Sequence, residues 1–304
     1  MDGQQAVKTS AQLLESLFNM SFDNWFMFPI SIVIATIAMA SGVGGATFFA
    51  PILLLGLGLS PEVAIGVGLI TEVFGFTSGL VAYLRRKLVD FRLARSMLIF
   101  SMPMAILGAV AANFVDPNIL KGVLGVGLLA VAYSLLRAPK PASQEEPEHQ
   151  PVTDSKTSAT TCITSADGEK FCYTVCDRWL GRIVATVGGF FTGMISTGLG
   201  ELNSYYLLQR CKIPSKVAVA TSVFAVAFTA MAAATSHLIN FVSAGGDTLG
   251  TVLSLVVFTA PGVVIGGQIG PYVATKISQH ALEKTLGVLF ILVASLMIGQ
   301  LVFT

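Results

Sequence analysis

The sequence predicts an all-α integral membrane protein of two inverted-topology repeats, each a glycine-broken re-entrant hairpin plus three transmembrane helices. Three observations lead there: a charge-poor composition, long stretches without any charge, and a weak internal repeat whose matching loops carry opposite charge bias. Of 304 residues, 54% are hydrophobic and 12% charged, about half the charged share of a soluble domain. Lys, Arg, Asp and Glu are missing between Asp23 and Glu62, from Ser96 to Val115, Ile183 to Gly200, Val217 to Gly246, Thr248 to Thr275 and Thr285 to Thr304. Each gap approaches or exceeds the ~20 residues that cross a hydrocarbon layer of ~30 Å.

The chain divides into residues 1–28, a first membrane repeat 29–138, a polar linker 139–182 and a second membrane repeat 183–304. The first 28 residues hold one lysine, two aspartates and one glutamate, with no basic start or cleavage site, so no cleaved signal is expected. Leu13, Leu14, Leu17 and Phe18 recur at helical spacing. Residues at roughly 10 to 20 thus read either as an amphipathic surface helix or as a loosely ordered terminus.

The repeat is carried by short matches in a common order. Ser41-Gly-Val-Gly-Gly matches Thr197-Gly-Leu-Gly-Glu, Ser60-Pro61 matches Ile213-Pro214, Pro103 with Gly108 matches Pro261 with Gly266, and Leu124-Gly125 matches Leu286-Gly287. Each half reads as four apolar segments: 29–59, 62–84, 96–115 and 119–136, then 183–208, 217–240, 249–273 and 281–302. In the linker, Pro139 to Thr161 is rich in Pro, Glu, Ser and Thr and reads as mobile. Beyond it, Cys162-Ile-Thr and Phe171-Cys-Tyr-Thr-Val flank Asp167-Gly168 and predict a β-hairpin.

Topology follows from basic residues, which are retained on the cytoplasmic side in short loops. The loop after the second segment holds Arg85, Arg86, Lys87, Arg92 and Arg95, and its counterpart from Asn240 to Thr248 holds no Lys or Arg. The loop from Gly56 to Val63 holds none either, whereas its counterpart has Arg210, Lys212 and Lys216; Lys121 against Lys276 and Lys284 leans the same way. Matching loops therefore face opposite sides. Arg137, Lys140, Arg178 and Arg182 put both linker ends inside and the N-terminus outside, so 183–208 must enter and leave on one face. Folded at Gly198 and Gly200, it gives two arms of ~20 Å; residues 29–59 do the same from outside around Gly42, Gly44 and Gly45. Exposed backbone at that depth is tolerated only around a protein-lined cavity.

These residues resemble the sulfite exporter TauE/SafE family of bacterial and archaeal membrane proteins. The resemblance runs through Gly42-Val-Gly-Gly, Pro51, Ser60-Pro61 with Ala64 and Gly66, Gly79 with Tyr83-Leu-Arg-Arg, and Pro103 with Gly108. In the second half it runs through Thr197-Gly-Leu-Gly-Glu, Pro214, Ala220-Thr-Ser and Pro261-Gly with Gly266-Gly. It implies transport of sulfite, sulfonates or related small anions across a prokaryotic plasma membrane. One departure is Gly66-Val-Gly-Leu69, where the family often has Gly-Thr-Ser-Leu; the hydroxyl pair appears only as Thr221-Ser222.

An anion held in a bilayer must have its hydration replaced, yet Lys121 and Lys284, close to segment ends, are the only Lys or Arg within the apolar segments. Helix termini freed at the breaks must supply the field. The expected substrate site is Ser41, Gly42, Val43, Gly44, Gly45 and Thr47 from one break, and Thr197, Gly198, Leu199, Gly200, Asn203 and Ser204 from the other, with Thr221 and Ser222. The alternative for the glycines is close helix packing. Glu72 and Glu201 lie in apolar stretches at ~2.5 to 3.5 kcal/mol each, which protonation relieves, making them candidates for proton coupling; neutral, hydrogen-bonded structural acids are the alternative.

His237 reads as a wet, interfacial histidine at the outer end of its segment, with His149 and His280 in linker and loop. Cys162, Cys172, Cys176 and Cys211 match no metal spacing and are expected as reduced thiols, a Cys172–Cys176 pair being the lesser reading. The expected partners are a small sulfur-containing anion, protons and the lipid bilayer, with no cofactor and no metal; a homo-oligomer is allowed. Nucleic acid is excluded, since the net charge is +1 and no basic run is interleaved with aromatics. Two other readings stay open: a sodium-coupled carrier of another small anion, and an intramembrane hydrolase. The hydrolase has in its favour only Gly193-Met-Ile-Ser-Thr-Gly198, one residue too long for a nucleophile elbow, and His237.

Overall fold

The computed structural model describes residues 24–41, 44–137, 160–273 and 279–303. The N-terminal amphipathic stretch and linker residues 139–159 fall outside them. The first half is α1 Met27–Ser41, α2 Ala46–Gly56, α3 Pro61–Arg85, α4 Phe91–Ala112 and α5 Pro117–Leu136. After β1 Thr160–Thr164 and β2 Lys170–Thr174 come α6 Arg178–Ile195, α7 Leu199–Ser204 continuing into a π-helical turn Tyr205–Arg210, α8 Ser215–Ala244, α9 Gly246–Val273 and α10 Gln279–Phe303.

Among the described residues, α3, α4, α5, α8 and the Thr248–Val273 part of α9 are long and apolar enough to cross a membrane; Met27–Ser41, Ala46–Gly56 and Lys284–Gln300 are shorter apolar helices. Large apolar side chains such as Ile106, Leu107, Val126, Val288, Leu292 and Leu296 stand on the outside, as a bilayer solvent allows. The chain is an integral membrane protein. Helix starts are set by local chemistry: Asp90, Asp116 and Asp177 cap α4, α5 and α6 with side-chain oxygens on first-turn amides, and Pro61 and Pro117 open α3 and α5.

Packing recurs between the halves with partners exchanged. Thr71 of α3 shares a 2.8 Å hydrogen bond with Thr259 of α9, and 158 positions on, Thr229 of α8 shares one of 2.7 Å with Ser101 of α4. All four are fully buried. Glycines repeat the scheme: a Cβ at Gly108 in α4 would strike the Phe190 carbonyl of α6, and one at Gly266 in α9 would strike the Ile32 carbonyl of α1. The same 158-residue shift relates both pairs. Gly193 of α6 likewise has the Ala105 carbonyl where a Cβ would stand. Absent side chains thus let α1 lie on α9 and α6 on α4 at backbone distance.

The linker's predicted hairpin is present, antiparallel with Cys162 opposite Cys172 and with Gly168 at φ 84° in its turn. The cysteine expectation is overturned. Cys162–Cys172 and Cys176–Cys211 are disulfides, and no described cysteine is free. The hairpin register makes the first pair cross-strand neighbours, which linear spacing does not reveal. The second brings Cys176 and Cys211 to a Cα distance of 5.1 Å, so the chain leaving through α6 returns through the π-helical turn to the same end of the molecule. The hairpin lies against the basic loops: Ala166 N–H donates to the Arg86 carbonyl at 2.9 Å and Lys216 pairs with Glu169 at 2.7 Å. Tyr173 donates to Asp90 Oδ2 at 2.8 Å; burial, then the hydrogen bond and charge of Asp90, push its phenol pKa up, so it stays a donor.

Candidate anion site at the helix breaks

The two breaks meet. Each forms because a helix is interrupted where small residues permit it. α6 ends at Ile195; Ser196 takes a left-handed conformation (φ 59°) and Gly198 a φ of 129° that L side chains rarely adopt, after which α7 starts in a new direction. On the other side, α1 stops at Ser41 and α2 begins at Ala46 with Gly45 as its N-cap. Leu199 is buried with Met39, Phe76, Val219 and Val223, which seats the second break against α1, α3 and α8.

At the junction Thr47 Oγ1 lies 3.0 Å from Thr197 Oγ1 and 3.0 Å from Glu201 Oε1, and Thr197 Oγ1 donates to the same carboxylate oxygen at 3.1 Å. The Gly198 N–H donates to Glu201 Oε2 at 2.9 Å. One carboxylate therefore gathers two hydroxyls and a helix-terminal amide, contributed by both halves. Glu72 comes to the same place from α3. A methyl added at Gly44 would sit 3.0 Å from Glu72 Oε1, 3.3 Å from Thr47 Oγ1 and 3.9 Å from Glu201 Oε1.

Around this junction polar capacity is left unspent. Both amide atoms of Asn203 and the hydroxyls of Ser222 and Ser196 are buried without a hydrogen-bond partner, and both oxygens of Glu72 are buried facing the Gly45 and Ala46 amides at the start of α2 without a bond of good geometry; Asn240 Nδ2 near the far end of α8 is the remaining such side-chain atom among the described residues. Folded proteins leave few such groups, each at about 1–3 kcal/mol. Ser196 and Asn203 lie on the second break itself, Glu72 reaches the junction from α3, and Ser222 belongs to α8.

A family described as Sulfite exporter TauE/SafE matches residues 27–297. The chain belongs to that family. Its relatives include the probable membrane transporter protein YunE of Bacillus subtilis (strain 168), 25% identical over 90% of this chain and 97% of that protein. Another is the probable membrane transporter protein YjnA of the same organism, 26% identical over 76% of this chain and 84% of that protein. The probable membrane transporter protein ORF9 of Sinorhizobium sp is 30% identical over 42% of this chain and 48% of that protein. No solved structure matches the chain.

Of the residues singled out in this TauE/SafE sequence, the structure brings Gly44, Thr47, Thr197, Gly198, Glu72 and Glu201 together. Gly45 caps α2; Leu199 and Gly200 are buried in the first turn of α7, the Leu199 N–H donating to Thr192 Oγ1 at 3.0 Å. Ser41 is buried at the end of α1, its hydroxyl donating to the Ile37 carbonyl at 2.9 Å. Gly42 and Val43 lie outside the described residues. Ser204 is only half-buried at the end of α7. Thr221 is engaged elsewhere: its hydroxyl accepts the Asp90 N–H at 3.0 Å and braces the loop before α4.

His237 departs from expectation. α8 runs on to Ala244, leaving the ring 2% exposed rather than wet, with Nε2 3.0 Å from the Gly193 carbonyl. That carbonyl is one of those a helix end leaves unpaired, so the imidazole serves the end of α6 and not Ser196. Sequence reasoning also passed over Thr192, which holds the other side of the break; a threonine in a helix carries no signal of this until the chain is folded back on it.

Proposed function

We propose that this protein is a secondary transporter that carries a small sulfur-containing anion, sulfite or an organosulfonate, across the cell membrane by proton-coupled alternating access. The moving parts are two inverted-topology repeats, each with one re-entrant hairpin and three crossings. The exchange of partners between Thr71–Thr259 and Ser101–Thr229 supports the repeat, and the return of Cys211 to Cys176 supports the hairpin. The relatives' description as membrane transporters supports transport.

The observation that carries the reading is the carboxylate of Glu201 resting on Thr47, Thr197 and the Gly198 N–H. These are donors an oxyanion would use, and they belong to both halves. Ionised, Glu201 occupies them itself. A proton taken up by Glu201 removes the charge that competes for those donors, so the hydroxyls and the amide turn to the incoming anion. Proton and anion then load together. Glu72, whose buried carboxylate faces the Gly45 and Ala46 amides beside the same junction, is the second proton acceptor, and Asn203 and Ser222 supply further ligands.

In this reading the protein sits in the plasma (inner) membrane of a prokaryote with the hairpin end and linker 139–182 in the cytoplasm and the N-terminus outside, an orientation that the basic loops support. The two disulfides at that end argue the other way, since bridges persist in oxidising compartments. The proposed orientation follows the charge because it is repeated over several loops, whereas both bridges sit at one end.

The test is flux in proteoliposomes under an imposed pH gradient, with sulfite, sulfate, thiosulfate and short sulfonates as cargo. Uptake of a sulfur anion driven by protons, lost in Thr47→Ala/Thr197→Ala and uncoupled from pH in Glu201→Gln, is expected. Indifference to every sulfur anion overturns the cargo, and unchanged pH dependence in Glu201→Gln overturns the coupling.

A further inference from the structure

Away from the helix breaks, a cavity of about 190 Å³ opens between the first turns of α4 and α6, the β-hairpin and the π-helical turn. Its polar lining includes Asp90, Arg92, Ser96, Arg178, Arg182 and Tyr206. The acids here are spent. Asp90 Oδ1 accepts the Arg92 and Leu93 amides at 2.9 and 3.0 Å, and its Oδ2 accepts the Tyr173 hydroxyl. Asp177, next to Arg178, accepts the amides of Trp179 and Leu180 at 3.0 and 3.3 Å.

The arginines are not. Among the described residues the ion pair formed is Lys216–Glu169, so Arg92, Arg178 and Arg182 face one cavity without a carboxylate partner. Arg182 lies over the Phe100 ring at 5.7 Å, which orients its guanidinium. All three are exposed, and Asp90 sets one negative charge against their three, so the lining carries a net positive charge that an anion offsets. Trp179 is exposed nearby, as tryptophan is at the membrane–water boundary, and Phe91 and Ile183 are exposed as well.

We propose that this cavity binds a tetrahedral oxyanion through the forked N–H groups of Arg92, Arg178 and Arg182. Two sources share that chemistry: a free sulfur oxyanion or sulfonate, and the phosphodiester headgroup of an anionic lipid. The site is distinct from the Thr47–Glu201 junction and stands without the transport reading. Tyr206, which lines it, donates to the Asp177 carbonyl at 3.1 Å and lies on the same folded-back segment as Glu201. An occupied cavity thus braces the outer arm of that segment.

The sequence has two tryptophans, so full-length protein carrying Trp25→Phe reports through Trp179 alone. Purified in neutral detergent, it is titrated with sulfate and methanesulfonate in one arm and with phosphatidylglycerol, against phosphatidylcholine, in the other; native mass spectrometry counts retained lipid. One arm should saturate. Arg92→Gln/Arg178→Gln/Arg182→Gln should weaken that binding about tenfold or more, with the triple lysine variant, which keeps charge but not the fork, falling between. Glu201→Gln should leave it intact. Saturation in neither arm, equal binding by parent and lysine variant and glutamine variant, or loss in Glu201→Gln alone overturns the proposal. If the glutamine variant does not fold, the lysine variant decides, and parent-like affinity in it counts against the site.

Discussion

At the residue scale the protein is organised around buried groups whose partners come from far along the chain. Glu201 is held by Thr47 and Thr197, and losing one charge-assisted hydroxyl costs about 1.5–3 kcal/mol. Thr47→Val alone should therefore slow saturated flux by roughly tenfold or more, read in liposomes at fixed pH gradient. Glu72 is 2% exposed and faces the Gly45 and Ala46 amides. A neutral isostere fits that setting and a lysine does not: Glu72→Gln should purify with a thermal midpoint near that of the parent, whereas Glu72→Lys should fail to fold. His237 covers the Gly193 carbonyl, so His237→Ala should cost about 1–3 kcal/mol, seen as a lowered midpoint in a thermal-shift assay. Both acids stand out in the sequence because a carboxylate in an apolar stretch is expensive. The imidazole does not, because its partner is a backbone carbonyl, which every residue has.

Elements show where sequence punctuation becomes geometry. The apolar segments, the glycine positions and the linker hairpin are legible beforehand, since hydropathy and turn chemistry are local, although the helices run up to five residues past the expected limits. The direction in which α7 leaves α6 is not, being set by Gly198 at φ 129° and by Thr192 holding the Leu199 amide. Gly198→Ala places a Cβ in a conformation costing about 1–3 kcal/mol and brings it within 3.0 Å of Phe191 Cβ. Loss of transport with normal membrane insertion is the outcome expected, checked by flux and by surface labelling. Cys176–Cys211 ties the ends of that same segment, and Cys176→Ser/Cys211→Ser should lower stability by about 2–4 kcal/mol, measured by thermal shift without reductant. Reading these cysteines as free thiols fails because disulfide pairing depends on which loops share an end of the molecule.

Across the whole molecule, the buried hydroxyl pairs Thr71–Thr259 and Ser101–Thr229 repeat one contact in two places. If the halves act as equivalent scaffolds, Thr71→Val/Thr259→Val and Ser101→Ala/Thr229→Val should destabilise by similar amounts, on the order of 1 kcal/mol each, in paired thermal-shift measurements. Unequal effects would show that one half carries the fold and the other follows.

By itself, the sequence determined the solvent of this protein, its family and the approximate course of its apolar helices, because apolar length, charge placement and glycine spacing are written in linear order. The tertiary structure alone decided which polar side chains face each other: that Thr47 and Thr197 share the carboxylate of Glu201, that Thr221 serves a loop instead, and that the cysteines are bridged. Hydrogen bonds between residues some 150 positions apart depend on how helices pack at ångström resolution, and small residues that permit such packing are too common to announce where they will be used.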